Sequence, residues 1–202
     1  MEQTPIDSYH IGYYKLLQLE VATCGLQLSA TQAAYFVSKF PPEDFLRVQA
    51  LVVLFDRIVD VENIDHEIVR KLSCKEQDEC YHRLGYLNLF NPMLPDHEYR
   101  LDLRSWEQRE LCKLLVKLGI EEPGENWQDE TYQWTKAAEP IPGWALPVGW
   151  GTEDEEMGGN GGPRHFGQLY LKYTSDAAGC KPDIPTRKLL MKKVLAGSER
   201  DI

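Results

Sequence analysis

The sequence contains no hydrophobic run long enough to cross a bilayer. Its most apolar stretch, residues 48–55, is far shorter than the about 20 residues that a membrane-spanning helix needs. The first ten residues also lack the basic start and the apolar core of a secretory signal peptide. We therefore expect no membrane partner and a cytoplasmic location.

Positive charge is scarce, since 22 Lys and Arg stand against 32 Asp and Glu, which gives a net charge of −10. Proteins that bind the phosphates of nucleic acids present concentrated Lys and Arg, so no nucleic-acid partner is expected. One basic group occurs in the last predicted helix, and we interpret it as the solvated face of an amphipathic helix. It consists of Arg187, Lys188, Lys192 and Lys193.

Closely spaced cysteine pairs are also missing. The five cysteines are odd in number and form no C-x-x-C motif. Without a secretory signal, this favours reduced thiols in a cytosolic or nuclear compartment. The five are Cys24, Cys74, Cys80, Cys112 and Cys180.

Motifs for catalysis or cofactor binding are absent as well. His66, Cys74, Cys80 and His82 do not have the close ligand spacing of structural zinc, and no cysteine or serine has the sequence context of a nucleophile. The glycine-rich residues 158–162 follow an acidic run and lack the Lys-Ser or Lys-Thr of a phosphate loop. We expect no catalytic residue, no cofactor and no metal.

Residues 28–63 carry the clearest folding pattern, two helices joined by Pro41-Pro42. One apolar face recurs with helical spacing at Ala33, Phe36, Val37 and Phe40. Ser29 is placed to cap the first helix, and Glu43 and Asp44 are predicted to open the second. The second helix is apolar from Val48 to Phe55 except at Gln49, which predicts burial of most of its circumference. Asp60 is predicted to cap a third helix with Ile64, Ile68 and Leu72 inside.

The flanking sequence predicts further helices and several strands. A first helix is expected over 9–24, with Gly25 as its stop and Ile11, Tyr14, Leu17 and Val21 facing inward. Capping boxes at 73–76 and 105–108 predict helices that end before Gly85 and at Gly119. Period-two alternation predicts a hairpin from 86–90 and 99–103, an edge strand at 146–148 and a strand over 167–174. A last helix is predicted over 185–196.

The first third of the chain, about residues 8 to 70, resembles a family of helical domains of unknown function found in bacterial and animal proteins. The residues that carry the resemblance, in order and at about the family's spacing, are Leu28, Ser29, Gln32, Phe40, Arg47, Ala50, Asp60 and Asn63. The chain departs from the pattern at Pro41-Pro42. The resemblance implies an all-helical module and no known activity.

These patterns together predict an α+β protein. An N-terminal helical module, residues 8–84, precedes a small antiparallel sheet with two helices, residues 85–197. Within the second module we expect a flexible loop over 151–163, because an acidic run followed by glycines cannot bury enough surface to become ordered.

The candidate site is the proline- and tryptophan-rich stretch 120–150. Its tryptophans could line a groove for a protein partner, or they could pack on their own domain, which the sequence favours. They are Trp127, Trp134, Trp144 and Trp150. We expect a non-enzymatic protein-interaction or adaptor module with a protein partner. The alternative is a small hydrolase or transferase whose site lies between the two halves. The sequence gives no indication of the oligomeric state.

Overall fold

The computed structural model describes residues 8–124, 126–151, 162–175 and 183–196. The fold is α+β, as predicted, with a three-stranded antiparallel sheet and several helices. The chain divides into two compact units, residues 1–91 and 92–202.

The first unit is helical in its described part. Short 3-10 turns separate several of its α-helices. The helices are α1 (Ser8–Thr23), α2 (Ala30–Val37), α3 (Leu46–Leu54), α4 (Ile64–Glu67), α5 (Cys74–Leu84) and α6 (Tyr86–Leu89). Helix α5 is capped by Ser73, whose backbone N–H and hydroxyl both donate to Glu76, and Gly85 follows its last residue with φ of 84°. Both ends agree with the sequence prediction.

Helix α1 forms where expected, and Gly25 follows it in the left-handed region with φ of 76°. The predicted inner face is wrong. Ile11, Tyr14, Leu17 and Val21 are exposed, and the buried side of α1 consists of Gly12, Leu16, Leu19 and Thr23. Gly12 explains the choice, because a Cβ there would lie 2.6 Å from a methyl carbon of Leu46 in α3. The two helices therefore pack closely on the side that carries the glycine.

Helix α2 begins with the predicted cap, and Ser29 and Gln32 form a complete capping box. The predicted start of α3 is wrong. Glu43 and Asp44 lie in a separate 3-10 turn, since Asp44 and Phe45 both have left-handed φ, and α3 begins only at Leu46. Its burial is less complete than predicted. Val48, Ala50, Leu51 and Leu54 are buried, but Val52 is exposed.

Asp60 does not cap the helix that follows it. Its Oδ1 accepts a hydrogen bond from Ala30 N at 2.6 Å, at the start of α2, and its Oδ2 accepts from the Asn63 amide at 3.1 Å. The predicted third helix is divided into α4 and the 3-10 turns Val61–Asn63 and Val69–Lys71. Ile64 and Ile68 are buried there as predicted, whereas Leu72 is partly exposed.

The second unit contains the sheet, and the predicted hairpin is wrong. Residues 86–89 are helix α6, so 99–103 has no hairpin partner there. The strands are β1 (His97–Asp102), β2 (Trp127–Gln133) and β3 (Gln168–Tyr173), and β3 lies between the other two. Strand β3 was predicted, with Leu169 and Leu171 on its buried face. Strand β2 was not predicted, and residues 146–148 form no strand but lead into the 3-10 turn Val148–Gly151.

The second unit also contains α7 (Trp106–Glu121), between β1 and β2 in the chain, and α8 (Ile184–Ala196), after β3. Helix α7 continues past Gly119, and Gln108 accepts from Asp102 N instead of completing a capping box with Ser105. Arg187 on α8 is buried and paired with Glu122, so its assignment to a solvated face is wrong, whereas Lys188 and Lys192 are exposed. Most of the predicted loop 151–163 and the side chain of Lys193 lie outside the described residues.

Candidate functional site

The second unit contains a group of five aromatic side chains centred on Tyr132, and we call this group the aromatic cluster. Its members are Tyr132, Trp134, Trp144, Trp150 and Phe166. The Tyr132 ring stacks on Trp144 at 5.3 Å between ring centres, and Trp134 and Trp150 meet it edge to face at 5.6 and 6.2 Å. Such arrangements are the favourable ones for aromatic pairs.

Tyr132 is held in place by burial and by two hydrogen bonds. It is fully buried on β2, its hydroxyl donates to the Phe166 carbonyl at 2.8 Å, and its own carbonyl accepts from Ile141 N at 2.9 Å. Gly167, with φ of 98°, allows the close approach, because a Cβ there would lie 2.3 Å from the Tyr132 hydroxyl oxygen. The centre of the cluster is therefore a rigid support for the rings around it.

The outer side of the cluster is open to solvent. Trp134 is 47% exposed and Phe166 is 48% exposed, although their rings stack at 5.4 Å with planes only 16° apart. Two stacked and half-exposed aromatic rings form a flat apolar surface. Aromatic side chains of this kind are enriched at protein interfaces because they offer large contact areas at small entropic cost.

Arg164 lies over this surface. Its guanidinium carbon is 5.0 Å from the centre of the Trp134 ring and 5.3 Å from that of Tyr132, which is within the range of cation–π attraction. The side chain is exposed, and no hydrogen bond or ion pair to another described residue engages it. The site thus combines an apolar surface with a fixed positive charge.

The four tryptophans named from the sequence do not share one site. Trp134, Trp144 and Trp150 belong to the aromatic cluster, with Trp134 exposed, Trp144 half-buried and Trp150 buried. Trp127 is half-buried and lies against Gly119 of α7, where its ring fills the space that a Cβ would need. Sequence reasoning missed Tyr132, Arg164 and Phe166. The available signal was the two-residue spacing between Tyr132 near the end of β2 and Trp134 just after it, which is the spacing of residues on one side of an extended segment.

The second unit also contains a buried group of polar side chains, Glu122, Tyr173 and Arg187, whose role is structural. Arg187 Nη1 lies 2.5 Å from Glu122 Oε1, both side chains are almost fully buried, and the Tyr173 hydroxyl donates to Glu122 Oε2. Burial, followed by the hydrogen bond to Glu122, raises the pKa of Tyr173 far above its ordinary value. Tyr173 therefore stays protonated near neutral pH, and the group joins α8 to the end of α7.

The buried thiols of Cys80 and Cys112 are unsuited to nucleophilic catalysis. Burial raises the pKa of Cys80 and of Cys112 to about 12, so both are neutral at physiological pH, whereas the thiolate is the reactive form. The hydrolase or transferase alternative therefore gains no support from these groups. Cys24 and Cys74 are exposed free thiols, and Cys180 lies outside the described residues.

Within the described ranges, no three His, Cys, Asp or Glu side chains are placed to hold a metal ion. None of the helices in that part of the chain is both long and apolar enough to cross a membrane. Comparisons with protein-family models, with curated proteins and with solved structures found no match to this chain. Its function is therefore inferred from the geometry of the site.

Proposed function

We propose that the second unit is a non-enzymatic peptide-binding module and that the aromatic cluster with Arg164 is its binding surface. The observation that carries the proposal is the position of Arg164, which lies over Trp134 and Tyr132 with its side chain exposed. The partner is an extended protein segment that presents an acidic side chain next to an apolar or aromatic one.

The charge of the partner follows from Arg164. A guanidinium has five N–H donors in a plane and binds carboxylates through two parallel hydrogen bonds. Cation–π contact with two rings restricts the side chain, so less conformational entropy is lost when a carboxylate binds. Since no described carboxylate engages Arg164, an acidic residue of a partner can do so.

The apolar half of the partner follows from Trp134 and Phe166. The solvent-exposed parts of these two rings suit a proline ring or an aromatic side chain, as in the aromatic-lined grooves that bind extended peptides. The chain's net charge of −10 repels an acidic segment at long range. At physiological ionic strength this repulsion is screened over about 8 Å, so the direct contacts at Arg164 determine affinity.

A phage-displayed library of random peptides tests the proposal. Selection on the full chain, after removal of peptides that bind the Trp134→Ala/Arg164→Gln double variant, is expected to enrich sequences with Asp or Glu beside Pro or an aromatic residue. If this removal leaves no peptide that binds the wild type, or if the recovered peptides show no acidic residue, the proposal is wrong.

Single variants then measure the contribution of each side chain with one recovered peptide. Trp134→Ala is expected to weaken binding by about 2 kcal/mol, as loss of a central aromatic contact does, while thermal stability changes little because the ring is half-exposed. Trp106→Ala is the matched control, since Trp106 is 65% exposed in the same unit but outside the aromatic cluster. Arg164→Lys keeps the charge and should bind less well than wild type because the paired donors are lost.

We also propose a cytoplasmic location for the protein. Two observations support it, the odd number of cysteines and the exposed free thiols of Cys24 and Cys74. Alkylation under denaturing conditions of protein purified without reductant should modify five thiols by intact mass. Two or four protected thiols would contradict this location.

The relationship of the first unit to the helical family of unknown function remains a proposal. It is supported by the roles of the matching residues, because Ser29, Gln32 and Asp60 stabilise the start of α2 and Arg47 Nε donates to the Phe40 carbonyl. Residues with such roles define a helical scaffold and no chemistry.

A further inference from the structure

Helix α1 has a second apolar face that no described residue covers. Tyr14, Leu17 and Val21 are 64%, 40% and 77% exposed, and Cys24 just beyond the helix is exposed too. These positions recur at spacings of three, four and three residues, which is the a and d pattern of a heptad repeat. A helix with apolar residues on opposite sides is normally buried on both sides.

We propose that this face is a homodimer interface, in which α1 packs against α1 of a second copy of the chain. A helix is the partner that heptad spacing fits. A second copy supplies the same uncharged surface, and a twofold axis allows the surface to pair with itself. Tyr14, Leu17, Val21 and Cys24 carry no formal charge in this face, so no partner of opposite charge is selected.

The available area agrees with a dimer of moderate affinity. The exposed apolar side chains along α1 are Ile11, Tyr13, Tyr14, Leu17 and Val21. Together they present on the order of 600 Å² per copy, since a large aromatic side chain accounts for about 150–250 Å². Two copies could bury at most about 1,200 Å², the lower end of stable interfaces. Area alone does not set affinity, and we expect a dissociation constant that sedimentation can measure, in the micromolar range.

An antiparallel arrangement fits the side chains best. With α1 helices antiparallel and centred at the level of Leu19, Tyr14 lies opposite Cys24 of the second copy and Leu17 lies opposite Val21, because a positions face d positions in an antiparallel pair. Each large side chain then meets a smaller one, which fills space evenly. A parallel pair would place Tyr14 on Tyr14 and Val21 on Val21, crowding one end and leaving space at the other.

Sedimentation equilibrium of the full chain across micromolar concentrations tests the dimer. The wild type is expected to show a concentration-dependent dimer, and Val21→Glu should raise its dissociation constant at least about tenfold because the charge would be buried in both copies. Val59→Glu is the matched control, since Val59 is 63% exposed in the same unit but not on α1. A wild type that stays monomeric, or a Val59→Glu effect equal to that of Val21→Glu, would overturn the proposal.

Cross-linking with a short bis-maleimide tests the orientation. In a Cys74→Ser/Cys180→Ser background, the additional substitution Tyr14→Cys should give linked dimers through Cys24 of the second copy. The background protein should not link, because the antiparallel arrangement holds its two Cys24 residues at opposite ends of the helix pair. Efficient Cys24–Cys24 linkage in the background would overturn the antiparallel arrangement.

Discussion

Several residues that carry the resemblance to the helical family have structural roles in this protein. Ser29, Gln32 and Asp60 all satisfy N–H groups at or beside the start of α2, and Asn63 in turn donates to Asp60. Four N–H groups at a helix start have no partner within the helix, so such contacts are strongly favoured. The residues behind the family resemblance therefore locate no active site.

Because of Tyr173, the free energy of unfolding is expected to fall at alkaline pH. Its pKa in the folded protein is raised above the ordinary value of 10.0, chiefly by burial. Below about pH 10 the phenol is neutral in both states, and its contribution to stability is complete. As the pH rises further the unfolded chain loses this proton and the folded chain keeps it, so the free energy of unfolding falls.

Tyr173→Phe should remove that part of the pH dependence. Urea unfolding between about pH 8 and pH 11 is expected to show a shallower alkaline loss of stability for Tyr173→Phe than for wild type. Tyr35→Phe, at an exposed tyrosine, is the control and should follow the wild type. An unchanged slope for Tyr173→Phe would mean that its phenol is not held protonated by the fold.

Helix α7 contacts strand β2 at Gly119, which lies against the ring of Trp127. A Cβ at Gly119 would lie 2.1 Å from a ring carbon of Trp127, so any side chain there would displace the indole. Glycine inside a helix ordinarily costs about 1 kcal/mol relative to alanine. The close contact explains why α7 contains this residue without ending there.

Gly119→Ala is therefore expected to destabilise the protein by about 1–3 kcal/mol, opposite in sign to its intrinsic effect on helices. In a Trp127→Leu background the same change should be neutral or stabilising, because the ring that it displaces is gone. Urea unfolding of the two single variants and the double variant gives the coupling free energy. A stabilising Gly119→Ala in the wild-type chain would show that helix and strand are not in this contact.

The sequence predicted where most long helices lie, but it could not predict which side of α1 faces inward. That helix is apolar around most of its circumference, so its pattern does not define a buried face, and the contact between Gly12 and Leu46 decides the matter. Such a contact joins residues far apart in the sequence, and local periodicity does not report it.

The strands were harder to predict for local reasons. Residues 86–90 alternate as a strand would, but Tyr86 stacks on Tyr81 at 4.1 Å and the segment turns into a short helix. In β2 the register shifts between Gln128 and Thr131, and Asp129 has φ of 53°, so alternation is interrupted. The aromatic cluster could not be predicted from the sequence for the same reason. Tyr132 follows the irregularity in β2, so strand alternation does not identify it as a buried residue.

Each of the two units has buried leucine or isoleucine side chains of its own. Leu51, Leu54 and Ile64 are fully buried in the first unit, and Leu101, Leu115 and Leu171 in the second. Each unit is of a size that can fold alone when it has its own core.

Fragments 1–91 and 92–202 are therefore each expected to unfold cooperatively in urea. Circular dichroism and intrinsic fluorescence should report the same midpoint within each fragment. Leu54→Asp, which buries an unpaired carboxylate, should abolish the transition of the first fragment. A wild-type fragment without a cooperative transition would show that the units do not fold independently.

The hydrogen bond from Ala30 N to Asp60 also has a consequence for the order of folding. The two residues are 30 positions apart, so the start of α2 cannot gain this acceptor until the chain beyond α3 has been synthesised and has returned to it. Forming such a loop costs entropy before the contact contributes. A nascent chain that ends short of residue 60 has an incompletely capped α2. This helix therefore becomes fully stable only after Asp60 has emerged from the ribosome.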